Sequence, residues 1–377
     1  MKKQTTKTKI WLTVFCVFAM VIVGVCWHFK VAEKIVSSAE AWKLDSGELS
    51  LHAINVGSGD ALVVILPDRK TMLIDTGDNG EYKTTKKYYS EVLKLGKTLD
   101  YLVITHPHSD HFGEGTELLA DYDFGEIFLP FVDSINSADD EANNGGKLPV
   151  AGGTAGANSK SYGAFIGAVY AEQTKITYLD DAAPILGDGY TITFWTPNVE
   201  YVRDHIDGSN PNPNDISAMM TIEYKNKVFV LTGDATGDDE AAFMSAVPEN
   251  FFNGKDVYLK VAHHGSNTEK SNGAAFLNFI KPKYAMISAG KKDKKDYGLP
   301  SEAAVSRIEA VGAVVFATLN NGNIVFEVSP NGTFAYYLGE AVDVSGAYIG
   351  LIVVLGLSIL YIWLGKTARI TRSALFR

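Results

Sequence analysis

A cluster of three histidines and one aspartate directly follows an apolar run, and this cluster constrains where a strand must end. The run Tyr101–Ile104 is typical of a buried strand, and the segment Thr105–His111 (T-H-P-H-S-D-H) comes immediately after it. Neutral imidazole and carboxylate are ligands that Zn²⁺ and Mn²⁺ prefer. Four ligands so close in sequence cannot all reach one ion well. The first two histidines and the Asp-His pair would more easily serve two neighbouring ions. A satisfied surface histidine cluster is the alternative.

Polar side chains also follow three other apolar runs. Asp75, Asp234 and the pair His263-His264 each come just after such a run. Strand ends converge at one edge of a sheet, so these side chains are expected to lie close together. Two ions about 3.5–4 Å apart polarise a scissile bond and provide a hydroxide at neutral pH. Asp234 is the candidate carboxylate to bridge such a pair, with a turn aspartate as the alternative. The histidines outside these clusters are predicted to be incidental: His28, His52 and His205.

Two long uncharged runs lie near the ends of the 377-residue chain. Residues 10–29 and 347–365 carry no Asp, Glu, Lys or Arg, and each run is long enough to cross a bilayer as a helix. Four lysines precede the first run, and one lysine and three arginines follow the second. The positive-inside rule therefore places both ends in the cytoplasm and the middle of the chain outside. The alternatives are a signal peptide cleaved near Ala39–Ala41 and, for the second run, a buried core helix.

Strand runs between these two segments occur in groups with helices between them, which predicts two packed β-sheets with helices outside. The charged run Lys291–Lys295 is predicted to be a solvated loop. The predicted organisation is a basic tail at 1–9, a transmembrane helix at 10–29, a linker at 30–48, an outer domain at 49–338, a transmembrane helix at 347–365 and a basic tail at 366–377.

The outer part of the chain is acidic. The whole chain has a net charge of −10, but without the eight basic residues of the tails 26 Lys and Arg stand against 44 Asp and Glu, a balance of −18. This field is unfavourable for a polyanion such as DNA. Both cysteines, Cys16 and Cys26, lie in the first uncharged run. The outer domain therefore has neither a disulfide nor a thiolate metal ligand.

These motifs together resemble the metallo-β-lactamase superfamily, and more narrowly the hydrolase domain of ComEC-type DNA-uptake proteins and its free-standing relatives. The likeness runs from about Leu49 to about Leu338, and the His-x-His-x-Asp-His motif is its most specific part. The resemblance implies an α+β fold, an αββα sandwich with two divalent metal ions, Zn or Mn, at one edge. The other segments that carry it are 55–61 (NVGSGDA), 73–77 (LIDTG), 214–217 (NDIS), 231–234 (LTGD) and 263–266 (HHGS).

The resemblance also implies roles for individual residues. The implied metal ligands are His106, His108, Asp110, His111, Asp234 and His264. The first two would hold one ion, the next two and one histidine of the His263-His264 pair the other, and Asp234 would bridge them. His264 is chosen as that ligand, with His263 as the alternative. Asp110 and His263 are candidates for catalytic proton transfer, with His263 also a candidate phosphate contact. The implied substrate contacts are Asp215, Ser217 and Ser266.

The sequence departs from the family pattern at three places. Asn214–Ser217 stands where many members have another histidine, so Asp215 is an additional candidate ligand. Ser58 and Leu299 stand where the subgroup often has Gln and His. Substrate contacts of the subgroup therefore need not be shared. The membrane channel of the uptake proteins is absent, so transport does not carry over.

The sequence predicts a membrane-anchored, extracytoplasmic hydrolase that cleaves phosphoesters, above all phosphodiesters, by attack of a metal-bound hydroxide. Its partners would be the membrane and a phosphate-containing substrate, either an envelope polymer or nucleic acid. No stable protein partner is indicated. The alternatives are an extracellular nuclease of the DNA-uptake type, a β-lactamase-like amide or thioester hydrolase, and a non-catalytic metal-binding sensor.

Overall fold

The computed structural model describes residues 6–28, 47–130, 159–195, 212–339, 354–355 and 358–359. The chain divides into two compact units, one spanning Trp42–Gly339 and one formed by the remaining residues at both ends. The second unit contains helix α1 (Thr6–His28), whose side chains are described for Thr8 and for Ile10–Val23. Among the described residues, no helix combines the length and the apolarity needed to cross a membrane. The predicted spans 10–29 and 347–365 both extend outside those residues, and they stay predictions, as do the domain boundaries.

The larger unit contains two β-sheets. The strands of the first sheet are β1 (Leu49–Ala53), β2 (Leu62–Ile65), β3 (Thr71–Ile74), β4 (Thr98–Val103), β5 (Asp123–Leu129), β6 (Lys175–Tyr178), β14 (Asn323–Val328) and β15 (Phe334–Gly339). They lie in the order β15-β14-β1-β2-β3-β4-β5-β6. Strands β3 to β6 run parallel to one another, and the other neighbours are antiparallel.

The strands of the second sheet are β7 (Ile185–Leu186), β8 (Tyr190–Trp195), β9 (Met219–Tyr224), β10 (Lys227–Leu231), β11 (Asp256–Lys260), β12 (Tyr284–Ile287) and β13 (Val314–Ala317). They lie in the order β13-β12-β11-β10-β9-β8-β7, and strands β10 to β13 are parallel. In each sheet the parallel strands therefore bring their carboxyl ends to the same edge.

Helices cover the outer face of each sheet. They are α2 (Tyr82–Lys87), α3 (Ser109–Phe112), α4 (Gly115–Asp121), α5 (Ser159–Ala171), α6 (Gly237–Ala246), α7 (Ala274–Ile280), α8 (Lys291–Asp296), α9 (Glu302–Ala310) and α10 (Thr318–Asn321).

Alternation along the strands builds three apolar layers. In β2, Leu62 and Val64 pack between the sheets, while Val63 and Ile65 pack against helices. In β10, Phe229 and Leu231 face the first sheet, while Val228 and Val230 face the helices of the second. Because both faces of each sheet are covered, both sets of alternating side chains are apolar. The strands therefore consist of nearly continuous buried apolar runs. The predicted α+β sandwich of two sheets with helices outside is confirmed.

The prediction of a solvated loop at Lys291–Lys295 is wrong, because this segment forms helix α8. The buried carboxylate of Asp293 accepts a hydrogen bond from the Gly290 amide at 2.7 Å. It also accepts one from the hydroxyl of Ser58. One local capping contact and one contact with a distant segment thus start a helix whose charged sequence has no apolar period.

His52 in β1 makes the stability of the protein depend on pH. Its ring is fully buried, with Nδ1 2.9 Å from the Tyr88 hydroxyl and Nε2 2.8 Å from the Ser50 hydroxyl. Burial lowers its pKa from 6.5 to about 3. Between these values the unfolded chain binds a proton that the folded chain does not, so the free energy of unfolding falls as the pH drops.

We expect His52→Gln to remove up to about 1.4 kcal/mol per pH unit from the slope of stability against pH in this window. Denaturant unfolding of wild type and variant between pH 4 and 6, both with chelator present, measures this slope. Equal slopes would contradict the assignment.

Candidate metal centre

The predicted site residues lie where the parallel strands of the two sheets end. Thr105–His111 follows β4 and leads into α3, Asp234 follows β10, and His264 follows β11. Two backbone hydrogen bonds fix the first of these loops, from Asp60 N to Asp110 O at 3.1 Å and from Thr76 N to His111 O at 2.6 Å. Residues that are up to 158 positions apart, from His106 to His264, therefore meet at one edge of the sandwich.

The described side chains form four groups that could each hold a cation, and two of these consist of predicted ligands alone. One group is His106, His108 and Asp234, and the other is Asp110, His111 and His264. Within each group the nitrogen and oxygen atoms all lie within 4.8 Å of one another. His106 Nε2 lies 3.0 Å from His108 Nδ1, and His264 Nε2 lies 3.2 Å from Asp110 Oδ2.

Asp234 lies between the two groups. Its Oδ2 is 4.0 Å from His106 Nε2, 3.3 Å from His111 Nε2 and 3.4 Å from His264 Nε2. It is thus the one carboxylate among the described residues that approaches histidines of both groups, which is the position that a bridging ligand needs.

The opposite ring nitrogens of three histidines are held by other groups. His111 Nδ1 lies 2.7 Å from Asp75 Oδ2, and His264 Nδ1 donates to the carbonyl of Ser288 at 3.0 Å. His106 Nδ1 lies 3.1 Å from the hydroxyl of Thr105. These partners orient the rings so that the Nε2 atoms face the centre, as outer groups do around metal-ligating histidines.

The electrostatics of the group favour a cation. Burial lowers the pKa of both His106 and His108, which keeps these rings neutral. Burial acts the same way on His111 and His264, but facing carboxylates, Asp234 first, outweigh it and raise their pKa. The carboxylates thus require positive charge at this position, which a divalent ion can supply in place of protons.

The atoms at the centre also fit such an ion. Among the described residues, His111 Nε2, His264 Nε2 and Asp234 Oδ1 are buried and have no hydrogen-bond partner. Unpaired buried polar atoms are costly, so their convergence on one position needs a ligand that satisfies them. A donor set of imidazole nitrogen and carboxylate oxygen suits Zn²⁺ or Mn²⁺.

The backbone after β11 determines which histidine of the pair faces the centre. His263 and His264 have φ of 48° and 50°, and Gly265 follows at 76°. Gly265 is required here, because a Cβ atom would stand 2.7 Å from Pro300 Cβ. This left-handed turn directs His264 to Asp110 and Asp234. The ring of His263 is 21% exposed, with Nδ1 3.5 Å from Glu269 Oε2.

A cavity of about 550 Å³ opens on the second group. Its wall includes Asp110, His263, His264 and Ser266 from the predicted set, together with Lys292. The predicted substrate contact Ser217 is instead fully buried, and its hydroxyl accepts from the Asp234 amide at 3.3 Å. Asp215 is half-buried beside Asn212, which donates to its Oδ1 at 3.4 Å. The substrate roles of these residues stay predictions.

Sequence reasoning missed the ion pair of Lys260 and Asp60 behind the predicted ligands, although it did predict that Asp75 lies beside them. Lys260 is fully buried and forms an ion pair with Asp60, whose Oδ1 lies 3.7 Å from His264 Nδ1. Asp75 accepts from the Thr105 amide at 2.8 Å and from its hydroxyl at 2.7 Å. A lysine within an otherwise apolar strand run was the available signal for the buried pair, because lysine is almost never fully buried without a partner.

Comparisons with known proteins agree with this geometry. A sequence model of the metallo-β-lactamase superfamily matches residues 54–130. Over this segment the chain is similar to the metallo-β-lactamase superfamily. The matched segment contains four of the six predicted ligands, and Asp234 and His264 lie beyond it. Members of this superfamily are generally metal-dependent hydrolases.

Two curated relatives are of the ComEC-like kind. The chain is 27% identical over 312 residues to ComE operon protein 3 of Bacillus subtilis (strain 168), covering 78% of this chain and 35% of that protein. It is 29% identical over 129 residues to competence protein ComA of Neisseria gonorrhoeae, covering 34% of this chain and 18% of that protein. The chain thus spans about a third or less of the length of these relatives.

Solved structures include the metallo-β-lactamase fold protein YhfI from Bacillus subtilis. It is 12% identical, with a TM-score of 0.40, and the match covers 73% of this chain and 98% of that one.

The two adjacent histidines provide a matched test of the site. We expect His264→Ala to weaken binding of one metal equivalent by about a hundredfold or more, because its Nε2 faces Asp110 and Asp234. His263→Ala should leave the affinity close to that of wild type. Competition of Zn²⁺-loaded protein with a chromophoric chelator measures both. Equal losses in the two variants would contradict the assignment.

Proposed function

We propose that this chain is a membrane-anchored, extracytoplasmic hydrolase that uses two divalent metal ions to cleave phosphodiesters. The observation that carries the proposal is the position of Asp234 between two ligand groups. When bound there, two ions polarise a phosphoryl oxygen and activate water as a nucleophile. Zn²⁺ and Mn²⁺ are the candidate metals, because the donors are imidazole and carboxylate.

The residues on the cavity wall would handle substrate and protons. His263 lies on this wall, 3.5 Å from Glu269 Oε2 through its Nδ1, and is the first candidate for proton transfer to the leaving oxygen. Asp110 would hold its ion through the oxygen that faces His264, and its position on the wall makes it the second candidate for proton transfer. Lys292, on the same wall and 3.0 Å from Asp78 Oδ2, is a further candidate contact for a phosphate.

Membrane anchoring is supported by the sequence. The uncharged run at 10–29 follows four lysines, and the run at 347–365 precedes four basic residues. An envelope phosphodiester would be the nearest substrate for a domain held outside the membrane. Protease added to intact cells should remove the 49–338 domain, and protection of that domain would contradict this part of the proposal.

A nuclease is the second candidate function, and the names of the competence-related relatives favour it. The balance of −18 outside the basic tails opposes it. Salt separates the two, because binding to DNA weakens steeply as salt increases whereas hydrolysis of a small diester should change little.

We expect the purified full-length protein, stripped of metal and reloaded with Zn²⁺ or Mn²⁺, to hydrolyse bis(p-nitrophenyl) phosphate. The His108→Ala variant should bind less metal and lose most of this activity. Release of p-nitrophenolate and degradation of single-stranded DNA, each followed at low and high salt, measure the two functions separately. A loaded protein that cleaves neither substrate would rule the proposal out.

A further inference from the structure

Asn272 crosses the loop that carries His264. Its side chain is fully buried. Oδ1 accepts from the Ala262 amide at 3.2 Å, and Nδ2 donates to the carbonyls of Ala262 at 3.1 Å and Ser266 at 3.0 Å. One amide group therefore closes the loop on both sides of the two histidines.

This loop needs an external restraint. His263, His264 and Gly265 are three consecutive left-handed residues, and only the glycine adopts that conformation without cost. Strained backbone of this kind persists only where the surroundings determine it, and it occurs at functional sites.

The segment that contains Asn272 also holds the loop after β10. Ser271 donates through its hydroxyl to the Ala235 carbonyl at 2.8 Å, and the Gly237 amide donates to the Glu269 carbonyl at 2.9 Å. Ala235 is the residue next to Asp234. The same segment therefore ties together the two loops that present Asp234 and His264.

Asn272 is itself held by Glu240 and Arg307. The backbone amide of Asn272 donates to Glu240 Oε1 at 2.6 Å, and the backbone amide of Gly273 donates to Glu240 Oε2 at 2.9 Å. Arg307 donates to the carbonyls of Asn272 at 2.9 Å and Ser271 at 3.2 Å. These contacts fix a residue with φ of 56°, which is otherwise unfavourable.

We propose that Asn272 is a positioning residue that holds His264 against Asp110 and His111, and thereby sets the metal affinity of the group formed by these three residues. The proposal rests on the metal centre of the proposed function. The group of His106, His108 and Asp234 should be unaffected, because the loop of Asp234 bonds to Ser271 and Glu269 rather than to the Asn272 side chain. A residue that served only general stability would not distinguish the two groups.

The test uses the full-length protein with the Asn272→Asp substitution, which keeps the size and one acceptor but removes both Nδ2 donors. The control is Asn278→Asp on the exposed face of α7. This substitution removes a single hydrogen bond, from the side-chain amide of Asn278 to the Ala274 carbonyl. Apo protein is titrated with Co²⁺, and the visible absorption and the chelator-competition affinity of each equivalent are recorded beside the thermal unfolding temperature.

We expect Asn272→Asp to weaken one Co²⁺ equivalent by about tenfold to a hundredfold and to change its absorption bands, while the other equivalent binds as in wild type. The control variant should match wild type in the affinity and in the absorption bands of both Co²⁺ equivalents. Unchanged affinity and bands in folded Asn272→Asp, or equal weakening of both equivalents, would overturn the proposal.

If Asn272→Asp fails to fold, Glu240→Gln replaces it. This variant retains one acceptor oxygen and should give the same selective loss to a smaller degree, and its absence would overturn the proposal. A wild type that binds no Co²⁺ would refute both the metal centre and this inference. A wild type that binds two equivalents but cleaves no diester would refute the proposed function alone.

Discussion

Asp234→Asn is expected to prevent the chain from holding two divalent ions and to lower phosphodiester hydrolysis by about a thousandfold or more, the upper end of what loss of one preorganised electrostatic group costs. Asp234 Oδ2 lies within 4.0 Å of the Nε2 atoms of three histidines from both ligand groups. Asparagine keeps the shape of the side chain but has no charge and only one oxygen. Metal stoichiometry by elemental analysis and hydrolysis of a chromogenic diester check the two expectations.

The control is Asp238→Asn, an exposed aspartate in the first turn of α6. This substitution also removes one negative charge, but four residues away from Asp234. It should leave the metal content and the rate of hydrolysis as in wild type. An Asp234→Asn protein that retained two ions would show that the two groups do not share this carboxylate.

Gly59→Ala is expected to give the second large effect. Gly59 has φ of 90°, and a Cβ atom there would lie 2.1 Å from the carbonyl oxygen of Asp110. The unfavourable backbone and the clash each cost about 1–3 kcal/mol. The clash would also displace the loop of Asp110, since the next amide, Asp60 N, donates to that same carbonyl. Denaturant unfolding and metal affinity should therefore both be affected.

Gly80→Ala separates the effect of the unfavourable backbone from the effect of the clash. Gly80 has φ of 98°, but nothing lies within 4 Å of its Cβ position. It should carry only the backbone penalty and leave metal binding intact. If Gly59→Ala lowered the free energy of unfolding by no more than Gly80→Ala, the close approach of Gly59 to Asp110 would be wrong.

The sequence was sufficient to predict the sandwich and the meeting of the ligands. Each ligand follows an apolar run, and parallel strands bring their ends to one edge, so position along the chain translated directly into position in space. Asp75, Asp234 and the His263-His264 pair could be placed beside Thr105–His111 by this reasoning alone.

Features that depend on contacts between distant segments could not be predicted in this way. The selection of His264 over His263 depends on three left-handed residues that Asn272 restrains. The helical state of 291–296 depends on Asp293 and its contact with Ser58, 235 positions away. The buried pair of Lys260 and Asp60 joins two sheets, and local patterns carry no information about such a partner.

The distribution of the ligands between the two sheets has a consequence for how the centre assembles. His106 to His111 follow a strand of the first sheet, whereas Asp234 and His264 follow strands of the second. Neither half of the sandwich contains all six predicted ligands. On the proposed function, a chain still being synthesised therefore completes the centre only after residue 264 has emerged and the halves have docked. Tight metal uptake would then report completed docking, and an ion bound only in the docked state would stabilise that state by mass action.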